Sequence, residues 1–319
     1  MKRRLLSLAF AGLICATGAF AQNYKTQTVK IVVPTGPGTI ADIVTRVMAL
    51  DLAKQLDQTF IVEDKAGANG IIGAQSVATA PPDGTTYIVG NVSTHAANEF
   101  LFKSLPYDPE KDFAPVALVG SVPHVLVVSD ALPVKTYADF VKLAKEKPGK
   151  LNFASGSSLT QVAMEVIKHG AGIETLYVPF KSTPQAMTEM LAGRIDVMVA
   201  DFGVAKPLID SGKIRPLLVA SSSRSALLPN IPAFPEVGLP KIDIIGWFGW
   251  FAPKGTPKEA VNRIYEGLKK AAANKDYQEK LASYGVSLTG EGPEQLEKFR
   301  AEQRSMYQHL VKEAGIQPQ

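Results

Sequence analysis

Short β-rich runs and longer amphipathic stretches alternate along most of this chain. Val29-Lys30-Ile31-Val32-Val33 favours a strand, Pro34-Thr35-Gly36-Pro37-Gly38-Thr39 breaks it, and Ile40 to Leu56 carries the 3.6-residue spacing of a helix. Phe60-Ile61-Val62-Glu63 predicts a second strand. Gly67 to Gly73 is a turn region, Ile72 to Ala80 a helix stopped by Pro81-Pro82-Asp83-Gly84, and Tyr87-Ile88-Val89-Gly90 a third strand. The order βαβαβ requires crossover connections and predicts an α/β fold with a mostly parallel sheet.

A Pro-rich stretch, Leu105-Pro106-Tyr107-Asp108-Pro109, separates this unit from a second one. Strands are expected at Ala114 to Val119 and Val125 to Val128, and a helix from Tyr137 to Glu146. The opening arrangement then returns: Leu151-Asn152-Phe153-Ala154 as a strand, Ser155-Gly156-Ser157-Ser158 as a turn of small residues, and Leu159 to Gly170 as a helix. Strands at Thr175 to Val178, Asp196 to Ala200 and Ile214 to Ala220 alternate with helices at Pro184 to Ala192 and Val204 to Ser211, so the middle of the chain forms a second βα sheet. An apolar run, Ile244 to Phe251, opens the last third, and amphipathic helices near Pro257 to Asn274, Asp276 to Tyr284 and Pro293 to Glu313 close it as solvated cover for a sheet.

The 319 residues are 46% hydrophobic and 20% charged, which excludes a disordered tail and suggests about two domains. Residues 1–21 have the make-up of a cleavable export signal. Lys2-Arg3-Arg4 precedes an apolar run from Leu5 to Ala16, and Ala19-Phe20-Ala21 stands before Gln22 as the small-x-small cleavage site. That run is shorter than the roughly 20 residues a membrane span needs. The only cysteine, Cys15, follows a bulky Ile14 where a lipoprotein signal needs a small residue. The signal holds three of the basic residues behind the net charge of +4, so the mature chain is close to neutral and nothing favours nucleic acid. A mature chain free of thiols excludes disulfides, thiol catalysis and thiolate metal sites.

The two small-residue turns carry the candidate chemistry. In parallel α/β sheets ligands bind beyond the carboxyl ends of strands, where a turn feeds a helix N-terminus. About four N–H groups there lack intrahelical partners, and the dipole adds roughly half a positive charge. Gly36, Gly38, Ser155, Gly156, Ser157 and Ser158 are small enough to let a ligand reach that backbone. Two such ends facing one cleft could grip a carboxylate without an arginine. The first turn lacks the Gly-Lys-Ser/Thr of a phosphate loop and the spacing of a dinucleotide fingerprint.

Other residues leave two readings open. Asp42 either complements the helix dipole or orients water at the site. His95 either lines the cleft or sits at the surface, Lys181 either balances a ligand carboxylate or is solvated, and one of Trp247 and Trp250 is expected in the core. The four histidines, His95, His124, His169 and His309, are scattered without metal-ligand spacing, and there is no Gly-x-Ser-x-Gly elbow. No cofactor or metal is expected.

Several stretches together resemble the periplasmic receptors of tripartite tricarboxylate transporters, the TctC or Bug family. They are Pro34 to Arg46, Val62 to Gly70, Pro82-Asp83-Gly84, Leu105 to Pro115, Lys147 to Phe153, Val178-Pro179-Phe180-Lys181, and Trp247-Phe248-Gly249 with Ala252-Pro253. The resemblance implies a two-lobed periplasmic-binding-protein fold with a ligand cleft between lobes, residues 22–122 plus 246–319 forming one lobe and 123–245 the other. It implies a non-enzymatic, monomeric receptor in the periplasm that holds a carboxylate through backbone amides and bridging waters, then presents it to a two-component membrane permease. On this reading Gly38, Thr39, Ile40, Ala41 and Asp42 on the first turn and Ser155, Gly156, Ser157, Ser158, Thr160 and Gln161 on the second supply most of the carboxylate hydrogen bonds. Ser93, Thr94, His95, Phe180, Lys181 and Asp201 shape the remainder.

This chain departs from the family pattern at Pro37-Gly38-Thr39 and Ala41, in a shortened second turn with Gln161 where a histidine is frequent, and at Ser182-Thr183-Pro184. These changes leave the guest open as a small organic anion, a mono- or dicarboxylate, aromatic or not. The rival expectations are a secreted α/β enzyme acting on a carboxylate and the receptor of an ABC-type importer.

Overall fold

The computed structural model describes residues 27–318; the expected export signal, with Cys15, lies outside them. Two sheets organise the fold. The first half supplies β1 (Val29–Val33), α1 (Ile40–Leu56), β2 (Phe60–Asp64), α2 (Ile71–Ala78), β3 (Thr86–Gly90), α3 (Asn98–Leu101) and β4 (Phe113–Val122). The middle supplies β5 (His124–Ser129), α4 (Tyr137–Glu146), β6 (Asn152–Ser155), α5 (Ser158–Ala171), β7 (Leu176–Pro179), α6 (Thr183–Leu191), β8 (Val197–Asp201), α7 (Phe202–Asp210) and β9 (Ile214–Val219). The last part adds β10 (Gly246–Pro253), α8 (Lys258–Ala272), α9 (Lys275–Ala282), β11 (Ser287–Glu291) and α10 (Pro293–Glu313). Strand order is β11-β4-β10-β3-β1-β2 in one sheet and β7-β6-β8-β5-β9 in the other.

Both sheets are mixed, which corrects the expectation of mostly parallel ones. β1 runs parallel to β2 and β3, as their helical crossovers require, and β6 runs parallel to β7 and β8. β10 is antiparallel to β3 and β4, and β5 is antiparallel to β8 and β9. Connectivity gives the reason. The chain leaves the first sheet at Val122 and re-enters it at Gly246, paired with that same residue, so β10 can only run back along β4. The sequence reading missed β11, a half-polar edge strand, and also a turn of π-helix at Ser93–Ala97.

One apolar cluster fills the outer face of the first sheet under α1 and α8, with Val44, Met48, Ile264 and Leu268. A second is continuous from the inner face of that sheet to the second sheet, joining Trp247 and Phe251 to Leu126, Phe153 and Val162, with Tyr307 and Leu310 of α10. A third lies between the second sheet and α6 and α7. Trp247 and Trp250 both have no exposed surface, because β10 is central and covered on both faces. They point to opposite sides, Trp250 toward Tyr87 and Trp247 edge-on to Phe299. Among the described residues no helix is long and apolar enough to cross a membrane.

Candidate functional site

The turn after β1 is built by its own side chains. Gly38 has φ +75°, a left-handed conformation that favours glycine. The Thr39 hydroxyl donates to the Gly36 carbonyl oxygen at 3.0 Å, lies 2.8 Å from the Thr35 hydroxyl and accepts from Asp42 N–H at 3.4 Å, which caps α1. The Asp42 carboxylate accepts from Gly38 N–H at 2.9 Å and meets the Arg46 guanidinium at 2.5 Å. Asp42 is therefore the dipole-side carboxylate of the two readings, and it occupies the Gly38 amide expected for the ligand. The N–H groups of Thr39, Ile40 and Ala41 have no acceptor among the described residues.

The turn after β6 is braced more heavily. The Ser155 hydroxyl donates to Ser157 C=O at 2.7 Å, accepts from Ser157 N–H at 3.3 Å and lies 3.0 Å from the Thr160 hydroxyl. The Ser157 hydroxyl caps α5 by accepting from Thr160 N–H. Ser158 N–H donates to Ser93 Oγ at 3.1 Å, and Ser158 Oγ donates to Asn98 Oδ1 at 2.6 Å, so the two halves already touch there. The expectation that this turn gives most of its amides to the ligand is thus narrowed. Ser157, Ser158 and Thr160 donate to the protein, whereas Gly156 and Leu159 have no acceptor among the described residues. A third helix start joins them. Thr183, at the first position of α6, lies against Gly156 so closely that a Cβ on Gly156 would fall 2.3 Å from Thr183 N.

These three helix starts surround a cavity of about 60 Å³, room for only a few atoms when one water needs roughly 10–15 Å³. Of the expected residues, Thr39, Ala41, Ser93, Gly156, Ser157 and Asp201 line it, together with Thr35, Asn91, Val92, His124, Leu159, Thr183, Gly246, Trp247 and Phe248. Gly38, Asp42, Ser155, Ser158 and Thr160 stand one layer behind, holding the turns. Ile40 belongs to the outer apolar cluster. Gln161 is buried and its Oε1 accepts from Tyr177 OH at 3.4 Å. Phe180 and Lys181 do not reach this cavity; they border a separate groove with Ala68, Asn69 and Phe102.

His95 is neither cleft-lining nor exposed. It is fully buried in the π-helical turn, stacked on Phe251 with ring centroids 4.0 Å apart, and its Nδ1 lies 2.8 Å from the Thr94 hydroxyl. Burial, with the nearby Arg300 charge, holds its pKa well below the usual histidine value. Thr94 in turn links Asn91 to this ring.

His124 and Asp201 were not paired by the sequence reading. They face each other across β5 and β8, with Nε2 to Oδ1 at 3.3 Å. Burial works to raise the Asp201 carboxyl, but the hydrogen bond and charge of His124, helped by the Thr183 hydroxyl, hold it below the ordinary carboxylate range. Two buried polar atoms on the cavity residues have no protein partner, His124 Nδ1 and Trp247 Nε1. Each such group costs about 1–3 kcal/mol unless something fills the place beside it. The arrangement offers donors from three helix starts, which suits an anion. No group of three or more potential metal ligands occurs among the described residues.

A two-lobed α/β fold with a polar cleft between its sheets defines a solute-binding protein. Residues 44–316 match the model for the tripartite tricarboxylate transporter family receptor, and the chain belongs to that family. A Pseudomonas sp. (strain P51) UPF0065 protein encoded in a tcbD-tcbE intergenic region is 32% identical over 98% of this chain and 94% of its own. Among solved structures, R. palustris Rpa4515 with adipate aligns with a TM-score of 0.88 at 30% identity, covering 92% of this chain and 99% of that one. The periplasmic binding protein BugD gives 0.87 at 29%, covering 92% and 99%. MatC (Rpa3494) from Rhodopseudomonas palustris with bound malate gives 0.85 at 31%, covering 89% and 98%. The family and these neighbours are solute-binding receptors, not enzymes, which closes the reading as a secreted enzyme.

Proposed function

We propose that this protein captures a small organic carboxylate in the periplasm and delivers it to a two-component permease of the tripartite tricarboxylate type. The carrying observation is the convergence of unpartnered N–H groups from the starts of α1, α5 and α6 on one small cavity lined also by Trp247, whose buried indole N–H has no protein partner. Thr39, Ile40 and Ala41 from one lobe and Gly156, Leu159 and Thr183 from the other would share the guest's oxygens. The adipate and malate held by structural neighbours support an acid of this kind. The described parts of 22–122 plus 246–319 form one lobe and 123–245 the other, and they part about the adjacent crossings near Val122 and Gly246 to admit it. Export by residues 1–21 places the receptor in the periplasm, where it works as a monomer.

Native mass spectrometry of the purified protein, followed by thermal shift against a carboxylate panel, tests this. A true ligand stabilises by RT ln(1 + [L]/Kd), about 2.7 kcal/mol at a hundredfold excess over Kd. Failure of every carboxylate to stabilise the protein would overturn the reading, as would turnover of one that does.

A further inference from the structure

We propose that Arg46 and Asp64 are positioning residues for the anion-gripping turn after β1: Arg46 cancels the charge of Asp42 beneath that turn, and Asp64 takes up a proton as the guest enters. The inference rests on the receptor reading above and explains how the protein tolerates an acid of its own behind an anion site.

Asp42 presents the difficulty. It lies in the first turn of α1, is only 5% exposed, and accepts from Gly38 N–H one layer behind the free amides of Thr39, Ile40 and Ala41. A buried carboxylate there repels the anion it helps to seat unless a cation offsets it. Arg46 supplies that cation one helical turn further on, with Nε 2.5 Å from Asp42 Oδ1. β2 ties down the other end of the guanidinium. The parallel register sets Asp64 beside Val33, the last residue of β1, and Asp64 Oδ2 accepts from Arg46 Nη2 at 2.7 Å. The guanidinium is thereby stretched between two carboxylates and held on Asp42.

Two acids then share one cation. With both ionised the trio carries a net negative charge beneath the turn, and a proton on Asp64 brings it to neutrality. Asp64 is the acid placed to accept it: it is partly buried, and its Oδ1 is enclosed without a hydrogen-bond donor. Burial first, then the Asp42 charge, raise its pKa above the ordinary carboxylate value despite Arg46. The neighbouring lysines serve Glu63 instead, Lys65 at 3.5 Å and Lys30 at 3.9 Å. An anion arriving at the start of α1 deepens the negative field and raises the Asp64 value further, so guest and proton bind together. Affinity therefore rises as pH falls through the value of the loaded receptor and levels off below that of the free one.

Calorimetry with adipate and malate, the acids held by structural neighbours, tests the proposal between about pH 5.5 and 8, with the guest's own ionisation subtracted. The proteins are the wild type, Asp64→Asn, Arg46→Met and Arg46→Lys. D64N keeps an acceptor for Arg46 and loses the charge. It should bind roughly 2- to 10-fold tighter than wild type at pH 8 and lose the pH dependence, a gain that a damaged fold cannot produce. R46M should bind about 10-fold more weakly at pH 8, recover as pH falls, and show a smaller deficit in high salt; R46K should restore most of the loss. In the ligand-free protein, NMR of ¹³C-labelled aspartate should show Asp64 titrating above the exposed aspartates, and higher still in R46M.

Equal affinity of wild type and D64N at pH 8, or an Asp64 that titrates with the exposed aspartates, overturns the assignment while leaving the receptor reading intact. An R46M deficit that stays the same at every pH and salt concentration also overturns it, because it marks a turn merely loosened. A wild type that binds no carboxylate of the panel at any pH takes both readings down.

Discussion

Most of the polar side chains near the cleft hold backbone instead of facing the guest. Asp42 neutralises the Gly38 amide, Ser155 and Ser157 satisfy N–H groups of their own turn, and only the amides they leave over are available. His95 is the sharpest case of a residue whose role is structural. Its folded-state pKa is depressed by burial, whereas in the unfolded chain it takes up a proton near 6.5. The stability this contributes is complete above that unfolded value and is lost as pH falls below it, at about 1.4 kcal/mol per pH unit until the folded value is reached. Denaturant unfolding between pH 7 and 5 should show this loss in the wild type. The slope should shrink in His95→Phe, which keeps an aromatic ring against Phe251 but cannot titrate; an equal slope in both proteins would show that His95 does not titrate in this range.

Helix starts are the working elements of this protein. α1 begins at a Thr cap and α5 at a Ser cap, so each initiates at a fixed residue and aims its first amides in a fixed direction. α6 begins beside α5 because Gly156 has no side chain. A methyl group there would meet the backbone at Ser182 and Thr183, which cannot swing aside as a side-chain tip would. Gly156→Ala should cost about 1–3 kcal/mol in stability, measured by urea denaturation, and weaken carboxylate binding more than Ser157→Ala does. Both turns were legible as small-residue breaks before helical spacing, but the caps themselves were not, since which hydroxyl turns back onto its helix is set by the turn's own geometry. The start of α6 was legible as an element but not as part of the site, since its contact with Gly156 joins two separate βα units.

Beside the shared apolar cluster, two polar bonds join the first sheet's half to the second's, Ser158 N–H to Ser93 Oγ and Ser158 Oγ to Asn98 Oδ1, and Asn98 is itself held in its own half by its Nδ2 donating to the Asn69 carbonyl at 3.0 Å. Such links favour the closed arrangement without sealing it, as suits a receptor that must release its cargo. Asn98→Ala removes one of them and should shift the ligand-free population toward the open form. Small-angle scattering should report a larger radius of gyration, and affinity should fall by the fraction of protein no longer closed. An unchanged radius with unchanged affinity would show that these bonds do not bias the equilibrium.

The sequence alone specified the βα units and the two small-residue turns, because these depend on interactions within a few residues along the chain. It also carried enough matching stretches to resemble the right family. What it could not specify depends on register and on contacts between distant segments. The reversal of β10 follows from where the chain re-enters its first sheet, and the burial of both tryptophans follows from that central position. Which amides stay free depends on Ser93 reaching across to Ser158. His124 and Asp201 become one unit only because two antiparallel strands set them opposite each other, a pairing that no local pattern records.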